Sequence, residues 1–471
     1  MNNGIRKIAL IMVFSFVFLS LGLVYWQVVK ADEMLDNPAN RRAVYLEERI
    51  TRGGIFDRNG VVLAKTEQTA DGKVRTYPQG EMFEPLLGYA TVKYGSAGLE
   101  ATEAETLLGM KNPSILRRIQ NAFELQRTGN DLILTLDSRL QETAYQSLQG
   151  KTGAVVAIDP QNGDVLALVS QPSYDAGAIE QDWDKIIAEE DSPLVNHAFS
   201  LFPPGSIMKV ITSAAIFQAG LDTTELYDCE GSTVINGQTI QEQNDKAHGW
   251  VNYDLALAYS CNTYFAQYGI KAGVNHFLEA VSNFGFGRDI PFDQYVPISS
   301  ITRDDPLPEN LSLNLFAEST FGQGQVMVSP FHMALITAGV ANDGKIMVPH
   351  LIDSVLDSKQ NSIYRRTPEV WLTPLSKEEA EKITSGMVLA VNKGTASPGA
   401  ISGAQIAAKT GSAEPGGDGD THAWYIAFAP AENPEIAVAV LVEHGGTGGG
   451  AAAPIAKAVI EKALELKEGE N

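Results

Sequence analysis

The chain has 471 residues, 44% of them hydrophobic and 20% charged, enough for two folded units and a sizeable core. Its 35 basic and 57 acidic residues leave a formal charge of -22, which argues against a nucleic-acid partner, since that needs a basic face. Two cysteines, Cys229 and Cys261, exclude a disulfide framework and a thiolate zinc site of the usual close spacing, and the seven scattered histidines form no HExxH pair, so the sequence predicts neither metal nor cofactor.

Taken in chain order, residues 1–7 form a short tail ending in Arg6 and Lys7. Ile8 to Val29 then carries no charge, and its length matches the ~20 residues a helix needs to cross a bilayer. Asp32, Glu33 and Asp36 follow it, so the positive-inside bias predicts a cytoplasmic N-terminus and an extracytoplasmic remainder. Tyr25 and Trp26 suit the outer aromatic belt. A cleaved signal peptide is the alternative, but the apolar run is too long for one and "VVKADEM" is a poor cleavage site.

Residues 30–150 read as a first exterior unit. "RGGIFDRNGVVLA", Arg52 to Ala64, places Asn-Gly before a Val-Val-Leu-Ala strand and predicts a hairpin. A helical patch is expected over Ile115 to Leu125. A strand over Leu132 to Leu136 should pass into a helix capped by Asp137 or Ser138.

A denser unit, 151–471, opens with two strands around the Asn162-Gly163 turn. The preceding "GKTG" is no phosphate loop, because Tyr145 stands where that loop needs glycine. Helical runs are expected from Ile207 to about Phe284. "AQIAAKTGSAE", "AWYIAFAP" and "EIAVAVLVE" read as three successive strands, and Ala453 to Leu466 as a closing helix. Strands, then helices, then strands and a helix imply an α+β fold whose sheet is completed by both ends of the unit.

Three stretches carry chemistry. In "LFPPGSIMKVITSAAIFQAG" two prolines and a glycine stop the chain, and an amphipathic helix is expected from about Ser206. Lys209, three residues on, shares the serine's face and, if neutral, could take its proton. The bland alternative is a serine N-cap with a commonplace first-turn lysine. In "LALAYSCNTYFAQYG" Ser260 and Asn262 flank Cys261, a pattern that by itself often marks only a turn. In Lys409-Thr410-Gly411-Ser412 a strand presents a cation and two hydroxyls, and the missing side chain at Gly411 would let a substrate backbone approach. An edge strand guarded by lysine explains the same residues. Their order decides: Ser-x-x-Lys, Ser-x-Asn and Lys-Thr-Gly, in that sequence, form the trio of penicillin-binding proteins and serine β-lactamases. Lys151-Thr152-Gly153 precedes the serine and is a decoy.

With "RGGIFDRNG", "YGSAGLE", His248-Gly249, Gly322 to Gly324 and "HAWYIAFAP", the chain resembles a class B penicillin-binding protein of the short, single-pass type over nearly its whole length. The resemblance implies a transmembrane helix at 8–29, a pedestal domain at 30–150 and a transpeptidase domain at 151–471. It also implies acyl transfer: Ser206 as nucleophile, Lys209 as general base, Ser260 as proton relay, Asn262 on the substrate amide, and Lys409, Thr410, Gly411 and Ser412 on the terminal carboxylate. The implied partners are the D-Ala-D-Ala end of a stem pentapeptide, β-lactams as covalent inhibitors, the membrane, and a membrane glycosyltransferase; no nucleic acid is implied. Ala408 and Ser412 depart from the commoner glycine and threonine, but the hydroxyl is kept. Cys229 and Cys261 are left open as a pair. Water as acceptor would make a D,D-carboxypeptidase or a β-lactamase, although Glu309 lies one residue too far from Leu313-Asn314 for the lactamase loop. A non-catalytic scaffold should have lost a motif hydroxyl or lysine, and all are present.

Overall fold

The computed structural model describes residues 3–26, 50–70, 72–111, 127–414 and 419–470. The helical patch expected over 115–125 and the last residues of the expected span, 27–29, lie outside these. Helix α1, Asn3–Val24, includes Arg6 and Lys7 in its first turns, and its segment Gly4–Leu23 has a mean hydropathy of 1.9, long and apolar enough to cross a membrane.

The predicted hairpin is present as β1 (Ile55–Phe56) and β2 (Val62–Thr69), joined through Gly60 at φ 83°. Asp57 Oδ1 closes the turn by accepting the Asn59 and Val61 N–H groups, each at 2.8 Å. Next come β3 (Gly72–Thr76), β4 (Asp131–Leu134) and α2 (Ser138–Leu148), the last capped by the Asp137 side chain, which accepts the Arg139 N–H. Strands β5 (Gly153–Ile158) and β6 (Val165–Gln171) pair antiparallel around Asn162-Gly163 as expected.

The middle is not uniformly helical. Between α3 (Lys209–Gln218) and the helices α4 (Tyr253–Tyr259) and α5 (Asn262–Ala272) lie two small antiparallel ladders. One pairs Tyr227–Cys229 with Gly249–Val251, the other Ser232–Ile235 with Gln238–Gln241. Their signal was in the sequence: "STVINGQTIQ" sets Asn-Gly between β-branched residues, and Asn236 and Gly237 both take positive φ. The chain continues through α6 (Pro330–Ala341), β7 (Ile352–Leu356), β8 (Ser362–Arg365), α7 (Lys377–Lys393), β9 (Ala407–Ala413), β10 (His422–Ala429), β11 (Ile436–Val442) and α8 (Ala453–Glu470). The three closing strands and final helix match the sequence reading.

Two sheets organise these elements. The five-stranded antiparallel sheet has the order β6-β5-β11-β10-β9, which leaves β9 at an edge. Successive residues of its strands alternate between two cores: Val156, Ile426 and Leu441 pack with α6, while Val155, Tyr425 and Val440 pack with α2 and α8. Helices cover both faces, so β5, β6, β10 and β11 read as continuous apolar runs. The second sheet has the order β8-β7-β4-β1-β2-β3, so two strands from residues 352–365 complete a sheet begun near residue 55. Beside it the buried Glu100 accepts Arg52 Nε at 2.6 Å on one oxygen and Arg75 Nε at 2.7 Å on the other. That carboxylate ties the "RGG" turn to "YGSAGLE".

Candidate active site

Ser206, the expected nucleophile, sits on a turn that the sequence reading placed one turn too far into a helix. Gly205–Met208 is a 3-10 turn, and the α-helix begins only at Lys209. The turn is pinned from three sides. Trp424 Nε1 donates to Pro203 O at 2.9 Å, and Gly205 N donates to Gly322 O at 2.9 Å. Gly205 takes φ +56°, and a Cβ there would lie 2.7 Å from Ser412 O. In a 3-10 turn the side chains at i and i+3 eclipse, which aims Lys209 at the half-buried Ser206. Nor is α3 amphipathic: Lys209 through Ile216 are all buried.

Lys209 Nζ lies 3.0 Å from Ser206 Oγ, 2.5 Å from Ser260 O, 3.1 Å from Ser260 Oγ and 2.7 Å from Asn262 Oδ1. Ser260 O and Asn262 Oδ1 can only accept, and in the deprotonated state they would take the two hydrogens of the amine. Its lone pair then faces the Ser206 and Ser260 hydroxyls. Complete burial lowers the Lys209 pKa to about 8, against an opposing pull from Glu242. Geometry and electrostatics therefore agree on a base.

Ser260 owes its position to strain. It ends α4 in the left-handed region, φ 63° and ψ 39°, which turns its carbonyl onto Lys209. Cys261 then starts α5 as its N-cap, so Ser260-Cys261-Asn262 forms a corner between two helices. Asn262 Nδ2 donates to Gln241 O at 2.9 Å, which leaves its oxygen toward the lysine. Glu242 holds the corner from behind, accepting the Asn262 and Thr263 N–H groups at 2.8 and 2.7 Å.

The opposite wall is β9. Lys409 Nζ donates to Ser260 Oγ and to Thr410 O, each at 2.8 Å, and so joins the third motif to the second. Burial, together with the nearby Lys209, depresses its pKa well below the usual lysine range. Gly411 also has a packing role beside the one expected. A Cβ there would meet Pro204 O at 2.9 Å and Ile207 Cγ2 at 3.2 Å, so the missing side chain makes room for the nucleophile turn. Thr410 Oγ1 shares a 2.6 Å hydrogen bond with Thr395 Oγ1, and Ser412 is half-buried beside the turn.

The residues of the three motifs thus lie together, and Lys151 lies outside this group. Sequence reasoning missed Glu242, Thr395 and Trp424. Of these only Trp424 had a signal, in "HAWYIAFAP". Sequence reasoning also expected no metal-ligating group. Cys229, Glu242, His248 and Cys261 nonetheless bring their donor atoms within 4.8 Å of one another, from four separate segments. Both thiols are free and buried.

A buried lysine with a lowered pKa against a serine hydroxyl, and a second hydroxyl between two lysines, is the arrangement of a serine enzyme that works through an acyl ester. The penicillin binding protein transpeptidase domain matches residues 153–461, and the penicillin binding protein A dimerisation domain matches residues 52–132. The chain is 35% identical to the peptidoglycan D,D-transpeptidase PbpA of Mycolicibacterium smegmatis, covering 100% of both chains. Penicillin-binding protein A of M. tuberculosis, solved as its ceftriaxone acyl-enzyme, superposes with a TM-score of 0.82 at 34% identity, covering 89% of this chain and 100% of that one. Its penicillin G acyl-enzyme gives a TM-score of 0.81 at 34% identity, covering 88% and 99%. The chain belongs to the class B penicillin-binding protein transpeptidases.

Proposed function

We propose that this protein is a membrane-anchored peptidoglycan D,D-transpeptidase that cross-links stem peptides through an ester on Ser206 and is inhibited by β-lactams. The observation that carries the reading is the single amine of Lys209, in contact at once with Ser206, Ser260 and Asn262.

Ser206 Oγ attacks the penultimate D-alanyl carbonyl while its proton passes to the Lys209 lone pair. The backbone N–H groups of Ser206 and Ser412 face the oxyanion as its charge develops. Ser260 lies between the two lysines, so its hydroxyl relays the proton from Lys209 to the departing D-alanine. Asn262 bonds the substrate amide. The terminal carboxylate lies against Lys409, Thr410 and Ser412 along the open edge of β9, and Gly411 keeps the nucleophile turn close. Two buried ammonium groups on one hydroxyl would repel, so Lys409 regains its proton when a carboxylate arrives to balance it. The amine of a second stem then attacks the ester and frees Ser206. A β-lactam presents the same carbonyl and carboxylate, but its leaving group stays tethered and the ester persists.

In this reading α1 is a single span with its N-terminus in the cytoplasm, residues 30–150 form the pedestal and 151–471 the extracytoplasmic catalytic domain. The anchor and pedestal suit docking to a membrane glycosyltransferase that polymerises the strands to be cross-linked. The test is to treat the full chain in detergent with labelled penicillin and map the adduct by peptide mass. Label on Ser206 that decays slowly is expected. Label that survives in Ser206→Ala overturns the mechanism, and rapid release of hydrolysed penicillin would instead mark a β-lactamase.

A further inference from the structure

Behind the Ser260-Cys261-Asn262 corner lies a group of side chains that the acyl transfer does not use. Cys229 ends the strand Tyr227–Cys229, Glu242 follows the strand Gln238–Gln241, His248 precedes the strand Gly249–Val251, and Cys261 caps α5. The backbone fixes their approach: His248 N donates to Cys229 O at 3.1 Å, and Glu242 N to Gly231 O at 2.9 Å. Cys229, Glu242 and Cys261 are buried and His248 is half-buried.

The distances are informative. Cys229 Sγ lies 3.6 Å from Glu242 Oε1 and 3.4 Å from His248 Nδ1, and Cys261 Sγ lies 3.2 Å from Glu242 Oε1. His248 Nδ1 stands 3.9 Å from the other carboxylate oxygen, Oε2, and with one donor atom taken from each residue all four lie within 4.8 Å of one another. A tetrahedral zinc ion with ordinary Zn–S, Zn–N and Zn–O bonds sets its ligand atoms about 3.4–3.8 Å apart. Thiols and carboxylates gathered only for hydrogen bonding would gain little, because S–H is a weak donor and the buried carboxylate is already served by two backbone N–H groups. The surroundings suit anionic ligands too. Tyr264 N donates to Cys261 Sγ at 3.4 Å, and Thr263 Oγ1 lies 3.3 Å from that sulfur and 3.5 Å from Cys229 Sγ.

We propose that Cys229, Glu242, His248 and Cys261 form a structural site for a tetrahedral, thiolate-preferring divalent cation of the zinc class. All four positions are filled by protein, which is the closed arrangement of a structural site. Cys261 stands between Ser260 and Asn262, both in contact with Lys209, so the ion fixes the corner and positions the base without touching substrate. Its ligands bring together the two small ladders and the start of α5.

The experiment uses the full chain in detergent, purified without chelator. Elemental analysis should find about one zinc per chain. Replacing zinc with Co2+ should give the intense visible bands of a tetrahedral thiolate site. Cys229→Ser and His248→Gln should lose the ion, and chelation of the unsubstituted protein should slow penicillin acylation roughly tenfold, with recovery on added zinc. The Co2+ spectrum requires no substitution, so a variant that fails to fold does not decide the matter. Absence of metal after reconstitution with Zn2+, or a Cys229–Cys261 disulfide in the active protein, overturns the site. Penicillin labelling of Ser206 is read separately, so failure of the metal site and failure of the acyl mechanism are distinct results.

Discussion

The two sides of the site, its walls, are built on different principles. The β9 wall is one strand of a buried sheet: Lys409, Thr410, Gly411 and Ser412 take their places from regular backbone pairing with β10. The wall opposite is an irregular corner. Ser260 is left-handed, and the residues that hold its corner arrive from elsewhere in the chain: Lys209 from α3 and Glu242 from just after a small ladder, with Cys229 and His248 gathered beside the neighbouring Cys261. Geometry on the first wall is a by-product of the sheet, whereas on the second it depends on particular side chains. Substitutions should therefore separate the walls, with large chemical effects where groups react and smaller ones where a regular element carries the load.

Ser206, the proposed nucleophile between the walls, sets the upper bound. Ser206→Ala should lower penicillin acylation by at least about 10^4-fold while leaving the fold intact, as removal of a serine nucleophile does elsewhere. Acylation followed by labelled adduct and folding followed by thermal melt distinguish the two. Equal loss of both would mean that Ser206 is a structural cap.

The corner comes next. Burial lowers the Lys209 pKa to about 8, so the neutral base predominates above that pH and is lost below it. The acylation rate should rise about tenfold per pH unit up to about 8 and then level off. Lys209→Arg keeps a cation but has no base form, and should cost roughly 10^2–10^4-fold with the pH dependence removed. A flat profile in the unsubstituted enzyme would break the assignment.

The contrast between the walls also explains what the sequence revealed. The three motifs were legible because each spans at most four residues on one turn or strand, so spacing alone brings their side chains together. The closing strands were legible because both faces of their sheet are covered, which writes long apolar runs into β10 and β11. The start of α3 was misplaced because the Pro203-Pro204-Gly205 stop is followed by a tighter 3-10 turn that helix periodicity cannot distinguish. Glu242, and the grouping of Cys229, His248 and Cys261 around it, were missed for a different reason. Their partners lie on separate segments, and only the Asn236-Gly237 hairpin that brings them together could have been read beforehand.

Gly205 tests how much the nucleophile depends on close approach between turn and strand. Gly205→Ala forces a side chain into positive φ and sets its Cβ 2.7 Å from Ser412 O. A cost of about 1–3 kcal/mol in stability is expected. Acylation should fall further than stability alone explains, because the turn must retreat from β9. Thermal melts and acylation rates on the same sample separate the two, and an unshifted melting temperature would show that the strand yields freely.

The smallest effect should come from Thr395→Val. Thr395 is exposed, and its hydroxyl meets Thr410 Oγ1 at 2.6 Å on the face of β9 that Lys409 does not use. Strand pairing already fixes the Thr410 backbone, so Thr395 can only orient a hydroxyl, and water can take over part of that task. Loss of one such hydrogen bond is worth about 0.5–1.5 kcal/mol, or roughly two- to tenfold in affinity. The loss should fall on KM for a D-Ala-D-Ala donor or on non-covalent β-lactam recognition, with kcat nearly unchanged. Thr395→Ser keeps the hydroxyl and should behave as the unsubstituted enzyme. A fall in kcat equal to that caused by Lys209→Arg would instead place Thr395 in the proton path and make the sheet wall as dependent on single side chains as the corner.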